Sequence, residues 1–327
     1  MPGELRQMRA VDAIVQTVVS SPDDIAYISG SLIEGFGNSS SDIDLFLITA
    51  ADPAYNGPFG TALGDYYLDL EIFTRDGMRV LTERLNTLDP SDFRAVWLTP
   101  LADLDLYYRT LIGEACHNAP GFSAMHAAFR REVAERLLAA WCGLRYAASM
   151  QHAREELDTG RAVSAAIAAQ AASASALDAY LAAHGEAFPS LKWRQEKLAR
   201  LHGKDSGLYR RAWSLKAPGQ REVSAYMGDV AAFGAELGME AYAGWTLEEV
   251  PLVTNGAAMS RDVGEDAYIL QNQRYLFEVS REVREVFDHV AAGPRTRAEI
   301  AGSLNIGESQ VRESIAALQG HALVRAY

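Results

Sequence analysis

Cysteines, long apolar runs and basic residues are all scarce in this chain of 327 residues, and each scarcity excludes a class of protein. Two cysteines, Cys116 and Cys142, are too few for a disulfide framework, which favours a reducing compartment. No segment approaches the roughly 18 consecutive apolar residues of a membrane span. The first residues also lack the basic region and apolar run of a signal peptide. We therefore expect a cytoplasmic protein without a membrane partner.

The charge balance is acidic, with 30 Lys and Arg against 43 Asp and Glu and a net charge of −13. A general nucleic-acid binder carries a basic patch or stripe, so this balance argues against DNA or RNA as a partner. A nucleotide substrate is compatible with it, because a metal ion and a few local cations can neutralise a triphosphate. The length and the hydrophobic content of 49% suit two or three domains with real cores.

The most informative segment is ISGSLIEGFGNSSSDIDLFLIT, residues 28–49. Gly30 and Ser31 follow one apolar run, and the pair Asp42 and Asp44 opens the next. Alternate residues of a strand face the same side, so the two carboxylates should point one way and repel each other unless a cation lies between them. A glycine before a serine lets the backbone approach a phosphate closely. The segment therefore predicts a Mg²⁺–nucleotide site.

This arrangement of Gly-Ser, ten residues and Asp-x-Asp resembles the signature of the DNA polymerase β-like nucleotidyltransferase superfamily. The version GSLIEGFGNSSSDIDL is most similar to minimal and antibiotic-modifying nucleotidyltransferases. The resemblance implies an α/β catalytic domain that uses Mg²⁺, as two ions, and ATP or another NTP. It also implies transfer of a nucleoside monophosphate, AMP in the first instance, to a hydroxyl or similar group of a small molecule or peptide, with release of pyrophosphate.

A third acid is expected beside the dyad, because two metal ions that clamp the attacking and leaving oxygens need more than two carboxylates. The strand candidate at residues 66–73 offers Asp69 and Glu71 on one face. The resemblance places the third acid on such a strand, and a Glu followed by apolar residues favours Glu71, with Asp69 as the alternative. A solvated outer face of an edge strand is the non-functional interpretation.

Phosphate contacts are expected from Gly30, Ser31 and Ser41, and the resemblance implies a lysine from a helical domain. Lys192 is the best candidate, although Lys192 and Glu196 also fit a surface ion pair at i, i+4. The acceptor should lie between two domains, where ligands commonly bind. Glu132 and Glu135 fit a general base there, but solvated charges paired with neighbouring arginines explain them better.

The pattern along the chain predicts three domains. An α/β nucleotidyltransferase domain is expected over 1–115, with strands near residues 25–29, 43–48 and 66–73 and an irregular loop over 51–64. An α-helical bundle is expected over 120–240, including one helix from Phe122 to Leu157. A small α+β winged helix-turn-helix is expected over 258–327, preceded by a connector over 240–260. This last region resembles the PqqD-like domains that bind leader peptides.

Two further patterns compete with this interpretation. Arg145 and His152 fit the Arg-(six residues)-His spacing of HEPN-type ribonucleases, but a structural pair on one helix explains them better. The presumed recognition helix carries Glu308 and Glu313 beside Arg312, too few cations for DNA, so DNA binding is not expected and peptide or protein docking fits better. The alternative to an enzyme is a regulatory or antitoxin-like protein that acts through this module.

Overall fold

The computed structural model describes residues 11, 14–37, 41–50, 58–63, 66–189, 191–245, 252–254, 258–263, 266–271, 275–320 and 323–326. The chain divides into two compact units, each assembled from separate stretches of sequence. The first unit comprises Met1–Pro90, Thr99–Cys142 and Leu177–Ser214, and the second comprises Ser91–Leu98, Gly143–Ala176 and Leu215–Tyr327. The three-domain division at 1–115, 120–240 and 258–327 stays a prediction.

The first unit is built on a five-stranded mixed sheet in the order β3-β4-β2-β1-β5. Only the β2–β4 pair is parallel among these neighbours, and the other three pairs are antiparallel. The strands expected near residues 25–29, 43–48 and 66–73 are confirmed as β1, β2 and β4. The five strands are β1 (Ile25–Ser29), β2 (Ile43–Thr49), β3 (Pro58–Leu63), β4 (Tyr66–Thr74) and β5 (Glu114–His117).

Ten α-helices are described before the C-terminal region, so the protein is of mixed α and β type. Two 3₁₀ turns, Leu191–Trp193 and Met239–Tyr242, accompany them. No helix in the described ranges is long and apolar enough to cross a membrane. The helices are α1 (residues 14–18), α2 (Arg75–Thr87), α3 (Phe93–Trp97), α4 (Leu101–Ile112), α5 (Ala119–His126), α6 (Arg131–Asp158), α7 (Ala162–Ala183), α8 (Arg194–His202), α9 (Gly207–Ser214) and α10 (Val223–Glu236).

Alternation along β2 divides the two faces of the sheet. Ile43, Leu45 and Leu47 lie in a buried core that also contains Ile14 of α1. Phe46 points to the other face, where its ring stacks on Tyr27 at a centroid distance of 5.0 Å. Because Asp42 and Asp44 share the parity of Phe46, they lie on the face opposite the α1 core.

The C-terminal part of the second unit contains short strands and three helices around one core. β7 (Ala258–Val263), β8 (Asp266–Gln271) and β9 (Tyr275–Val279) form an antiparallel sheet, and β10 (Val324–Ala326) pairs with β6 (Leu252–Thr254). Three helices follow in the described residues of this region, and the winged-helix assignment itself stays a prediction. They are α11 (Arg281–Ala291), α12 (Arg297–Leu304) and α13 (Glu308–Gly320).

The expectation of an irregular loop over 51–64 was wrong for its second half, because Pro58–Leu63 forms β3. This segment pairs antiparallel with β4 along its whole length. A Cβ at Gly60 would lie 2.0 Å from the hydroxyl of Tyr67, so the Tyr67 side chain covers the glycine. Pairing with β4 and this cover stabilise a strand whose own residues favour a turn. Residues 51–57 lie outside the described ranges.

The single helix expected from Phe122 to Leu157 is in fact two helices, α5 and α6. The backbone between them bonds to side chains of other helices. The Arg130 N–H donates to the hydroxyl of Tyr107 at 2.8 Å, and the Ala128 carbonyl accepts from Asn86 at 2.9 Å. These partners replace the helical hydrogen bonds that would have joined the two helices. The connector expected over 240–260 likewise contains β6 and the start of β7.

Candidate nucleotide and metal site

The Gly30-Ser31 turn begins where β1 ends, directly beside the aspartate dyad. Ser29 pairs with Asp44 across the β1–β2 ladder, so the chain leaves the sheet at the level of Asp44. Gly30 has φ +79°, and a Cβ there would lie 1.8 Å from Asp44 Oδ2 and 2.6 Å from its Cγ. Only glycine fits this backbone conformation and this close approach. The sequence analysis assigned the turn and the dyad to one motif, and in the structure Gly30 lies against the side chain of Asp44.

Ser31 is buried, at 4% exposure, and its hydroxyl has no hydrogen-bond partner among the described residues. Its carbonyl accepts from the N–H groups of Phe36 and Gly37, at 2.9 and 2.7 Å, which closes the turn. Residues 31–35 form turns, so Ser31 does not cap a helix here. A buried hydroxyl without a partner costs folding free energy unless a ligand satisfies it. Ser31 is thus suited to meet a ligand oxygen.

The register between β2 and β4 fixes which acids lie side by side. In this parallel pair Asp44 aligns with Asp69, whereas Glu71 aligns with Phe46 one step farther along. All of these side chains lie on the same face of the sheet. Asp69 is therefore the direct neighbour of Asp44. The sequence alone favoured Glu71.

A buried arginine, Arg109 of α4, neutralises part of this acidic cluster. Its Nη1 lies 2.8 Å from Asp44 Oδ1, and its Nε lies 2.7 Å from Asp105 Oδ2. The Arg109 carbonyl accepts from Ser29 Oγ at 2.6 Å, which holds α4 against the end of β1. The guanidinium also lies 5.7 Å from the ring centroid of Phe188. The arginine side chain is 17% exposed and that of Asp44 14%, so water screens the pair weakly.

Burial raises the pKa of Asp44 above its ordinary value, although Arg109 opposes the rise, and the charges of Asp42 and Asp69 add to it. Burial also raises the pKa of Glu71, again against Arg109, with Asp105 and Asp69 adding to the shift. The cluster therefore holds more negative charge than one arginine compensates. A further cation would stabilise its ionised form.

Cross-links from the helices fix the loop that carries Gly30 and Ser31. Arg200 of α8 donates from Nη1 to the Glu34 carbonyl at 2.9 Å and from Nη2 to Glu34 Oε1 at 2.7 Å. The same guanidinium donates from Nε to Glu186 Oε1 at 2.7 Å. Tyr108 donates to Glu34 Oε2 at 3.2 Å. The turn is thus held at Glu34 by two helices before any ligand arrives, which lowers the ordering cost of binding.

Lys192 lies in the same unit, next to an aromatic group that adjoins the loop. Its Nζ is 5.3 Å from the ring centroid of Trp193, and that ring stacks on Phe36 at 5.5 Å. Lys192 is exposed. Lys197, the other lysine nearby, is 2% exposed, and its Nζ donates to the Phe188 carbonyl at 2.7 Å. Lys197 is therefore a core residue and is not placed to contact a ligand.

Ser41 and Asp42, both half-buried, stand immediately before β2. No group of three or more His, Cys, Asp or Glu side chains is placed to hold a metal ion in the part of the chain that the structure describes. Asp44 is instead turned towards Arg109. The pattern Asp105 and Arg109, i and i+4 on a helix, was the available sequence signal for this arginine.

The remaining candidates lie on helices. Glu135 is half-buried and lies 4.0 Å from Arg131, and Arg136 donates to the Glu132 carbonyl at 3.2 Å. Arg145 and His152 both lie on α6, as expected for one helix face, and both line one cavity of the second unit.

Comparison with known proteins gives little beyond this geometry. No family description matches the sequence, and no curated protein matches it. Among solved structures, the chain is similar to a nucleotidyltransferase-like protein from Exiguobacterium sibiricum at 15% identity and a TM-score of 0.41. The match covers 72% of this chain and 77% of that one. A similarity at this level leaves the function to be argued from the site.

Proposed function

We propose that the first unit is a Mg²⁺-dependent nucleotidyltransferase. The observation that carries the proposal is the contact between the Gly-Ser turn and the dyad, where a Cβ at Gly30 would lie 1.8 Å from Asp44 Oδ2. A phosphate cradle and carboxylates that would hold a metal must adjoin in such an enzyme, because the metal would neutralise the charge of the phosphates bound in the cradle. ATP as donor, AMP as transferred group and a small-molecule or peptide hydroxyl as acceptor are proposed from the sequence resemblance.

The chemistry of the residues present suits a magnesium–triphosphate group, although the described carboxylates are not gathered around one metal position. Ser31 offers a buried hydroxyl without a partner, and Gly30 leaves room for close backbone approach. Asp42, Asp44 and a third acid would hold the metal, since Mg²⁺ binds carboxylate and phosphate oxygens. When bound, Mg²⁺ supplies neutralisation of phosphate charge and orientation of the acceptor and leaving oxygens.

The reaction would be an in-line displacement at the α-phosphorus. A bond forms between the acceptor oxygen and phosphorus, the bond from phosphorus to the bridging oxygen breaks, and pyrophosphate leaves. The acceptor proton passes to a carboxylate of the cluster. Ser31 and the backbone at Gly30 hold the phosphates, and Lys192 steadies the leaving group once its side chain extends towards it. Positioning and charge neutralisation supply most of the rate enhancement.

We propose Asp69 as the third acid, with Glu71 in support. The parallel register aligns Asp69 with Asp44, and the charge of Asp69 contributes to the raised pKa of Asp44. Asp69→Asn should therefore reduce turnover more than Glu71→Gln does. The reverse order, measured as pyrophosphate release under the same conditions, would return the role to Glu71.

The test of the proposal is a thermal-shift measurement with each NTP, with and without Mg²⁺. Ligand at 100 times its dissociation constant adds about 2.7 kcal/mol to the free energy of unfolding, which raises the melting temperature by several degrees. We expect a Mg²⁺-dependent rise with one NTP in the wild type and none in Asp44→Asn. Turnover in Asp44→Asn should fall by more than about 10²-fold, the effect of losing one electrostatic stabiliser.

Asp229→Asn is the matched control, because it makes the same chemical change at a side chain that is 54% exposed and paired with Arg221 in the second unit. It should behave as wild type. An NTP shift that persists in Asp44→Asn, or turnover that is nearly normal there, would exclude the assignment. Absence of any shift with any NTP would favour the regulatory alternative.

We further propose that the C-terminal strands and helices form a winged-helix module that docks a peptide or protein. The core shared by α11, α12 and α13 supports an independent module. Glu308, Arg312 and Glu313 are exposed on α13, and Arg312 lies 3.7 Å from Glu308, so the helix presents little net positive charge. Salt-sensitive binding of DNA by the full chain, lost on Arg312→Gln, would contradict this.

A further inference from the structure

The second unit contains a cavity of about 760 Å³ that the proposed transfer reaction does not use. Residues of α6, α7, α12 and α13 line it, together with Trp97 of α3. Its volume lies in the range of about 300–1,000 Å³ that is usual for small-molecule sites. The cavity is therefore large enough for an organic ligand rather than a single ion.

The lining is basic, in contrast to the chain as a whole. Four arginines line it, and the acidic side chains among the lining residues are Glu155 and Glu156. The arginines come from different parts of the sequence, which means that the fold gathers them: Arg145, Arg161, Arg297 and Arg312. In a chain with a net charge of −13, a lining with a net charge of +2 favours an anionic ligand.

Glu156 is largely neutralised within this group. Arg161 donates to it from Nε at 2.6 Å and from Nη2 at 2.8 Å, and these bonds lower the pKa of Glu156. His152 Nε2 lies 3.9 Å from the same carboxylate. The rest of the lining then contains three arginines and one carboxylate, that of Glu155, and Arg312 also lies 3.7 Å from Glu308, which is not a lining residue. The lining itself therefore keeps its excess of guanidinium groups.

A second, independent observation is an indole N–H without an acceptor. Trp97 lines the cavity, is 3% exposed, and its Nε1 has no hydrogen-bond partner among the described residues. Arg145 lies over its ring, with 5.8 Å between Cζ and the ring centroid. A buried donor of this kind is normally satisfied, in this setting by water or by a ligand oxygen. The donor and the arginines together suit an acceptor group with several oxygens.

We propose that this cavity binds a small organic phosphate. A phosphate presents more anionic oxygens than a carboxylate and can accept from several guanidinium groups together. Apolar side chains, among them Ile167, Ala168 and Ile315, also line the cavity and would contact the organic part of the ligand. Arg145 and His152, which the sequence analysis paired as a nuclease-like spacing, are thereby given a binding role.

The experiment titrates phenyl phosphate into the full chain by isothermal calorimetry, in buffer with EDTA so that the metal-dependent site of the first unit is silent. Phthalate, a dianionic carboxylate of similar size, is the second probe. We expect phenyl phosphate to bind more tightly than phthalate, and added NaCl to weaken its binding. Arg145→Gln and Arg312→Gln should each weaken binding about tenfold, the effect of losing one charged hydrogen bond.

Arg154→Gln is the matched control, because Arg154 is exposed on the same helix as Arg145 and does not line the cavity. It should bind phenyl phosphate as the wild type does, and so should Asp44→Asn, since the proposal does not depend on the transfer reaction. Equal affinities in Arg145→Gln, Arg154→Gln and the wild type would overturn the proposal. Tighter binding of phthalate, no binding of phenyl phosphate, or RNA cleavage that is lost on His152→Ala would overturn it as well.

Discussion

Replacing Gly30 by alanine tests the contact on which the proposed active site depends. The new Cβ would lie 1.8 Å from Asp44 Oδ2, against an ordinary van der Waals distance of 3.4 Å or more, so Asp44 must withdraw by more than an ångström. Nη1 of Arg109 would also lie only 3.1 Å from the Cβ. The substitution therefore disturbs the ion pair between Asp44 and Arg109 as well as the backbone.

The expected loss of stability has two parts. An alanine at φ +79° costs about 1–2 kcal/mol, partly offset by the smaller entropy of its unfolded chain, which leaves about 1 kcal/mol. Loss of a buried ion pair costs about 3–5 kcal/mol when one charge is left unpaired. We take about 3 kcal/mol, because Arg109 and Asp44 keep 17% and 14% exposure. Gly30→Ala should therefore lose about 4 kcal/mol of unfolding free energy.

Gly35→Ala separates these parts, because Gly35 has φ +82° in the same loop and nothing lies within 4 Å of its Cβ position. Urea denaturation should give a loss of about 1 kcal/mol for this control and about 4 kcal/mol for Gly30→Ala. Turnover should fall by about 10²-fold only in Gly30→Ala, the usual effect of misplacing a catalytic group by about 1 Å. Equal stability and equal turnover in the two variants would refute the reasoning.

Three further outcomes follow from the same structure. Arg109→Gln should lose about 3 kcal/mol of unfolding free energy in EDTA and regain part of it with Mg²⁺, and urea titrations that are identical in both buffers would contradict this. Burial raises the pKa of Asp24, but backbone N–H groups of Ala50, Ser20 and Ser21 outweigh it and hold the pKa below 3.8, so its ionised form stabilises the fold. The wild type should therefore be more stable than Asp24→Asn by its full margin at pH values above 3.8, the pKa of Asp24 in the unfolded chain. That margin should shrink as the pH falls through the lower pKa of the folded state, and urea denaturation at a series of pH values measures it. Thr296→Ala removes the capping box of α12 and should cost about 1 kcal/mol, read from the melting temperature.

The parts of the site that depend on local sequence were predictable. Period-2 alternation across residues 43–48 places Ile43 and Leu45 in the core and Asp44 on the opposite face, and the structure has both. The Gly-Ser turn could also be predicted from local sequence, because glycine tolerates φ +79°. The position of Ser31 follows from the turn at Gly30. Strand alternation and turn formation depend on residues that are close in sequence, so both can be predicted from a single sequence.

The parts that depend on a distant partner were not predictable. Residues 58–63 carry Pro and Gly, which favour a turn, yet pairing with β4 makes them a strand. The offset between β2 and β4 decides that Asp69, and not Glu71, aligns with Asp44. Strand register is set by packing of the whole sheet, and a shift of two residues would preserve every alternation pattern in the sequence. The sequence alone could therefore limit the proposed third acid to Asp69 or Glu71 but could not choose between them.

Arg109 shows why the acids of such a site can be found from sequence while their counter-charge cannot. The acids must be adjacent on strands, so their spacing is short and regular, whereas the arginine needs only to reach them from α4, 65 residues from Asp44. Its guanidinium compensates the charge of one buried carboxylate, which lowers the free-energy cost of folding the acidic cluster. In the proposed site this contact would lower the affinity of Asp44 for a metal ion, because the guanidinium bound to Oδ1 already neutralises part of the carboxylate charge. The proposed Mg²⁺ affinity would then depend on how strongly Arg109 holds Asp44, and a bound triphosphate that attracted Arg109 to its own negative charge would raise that affinity.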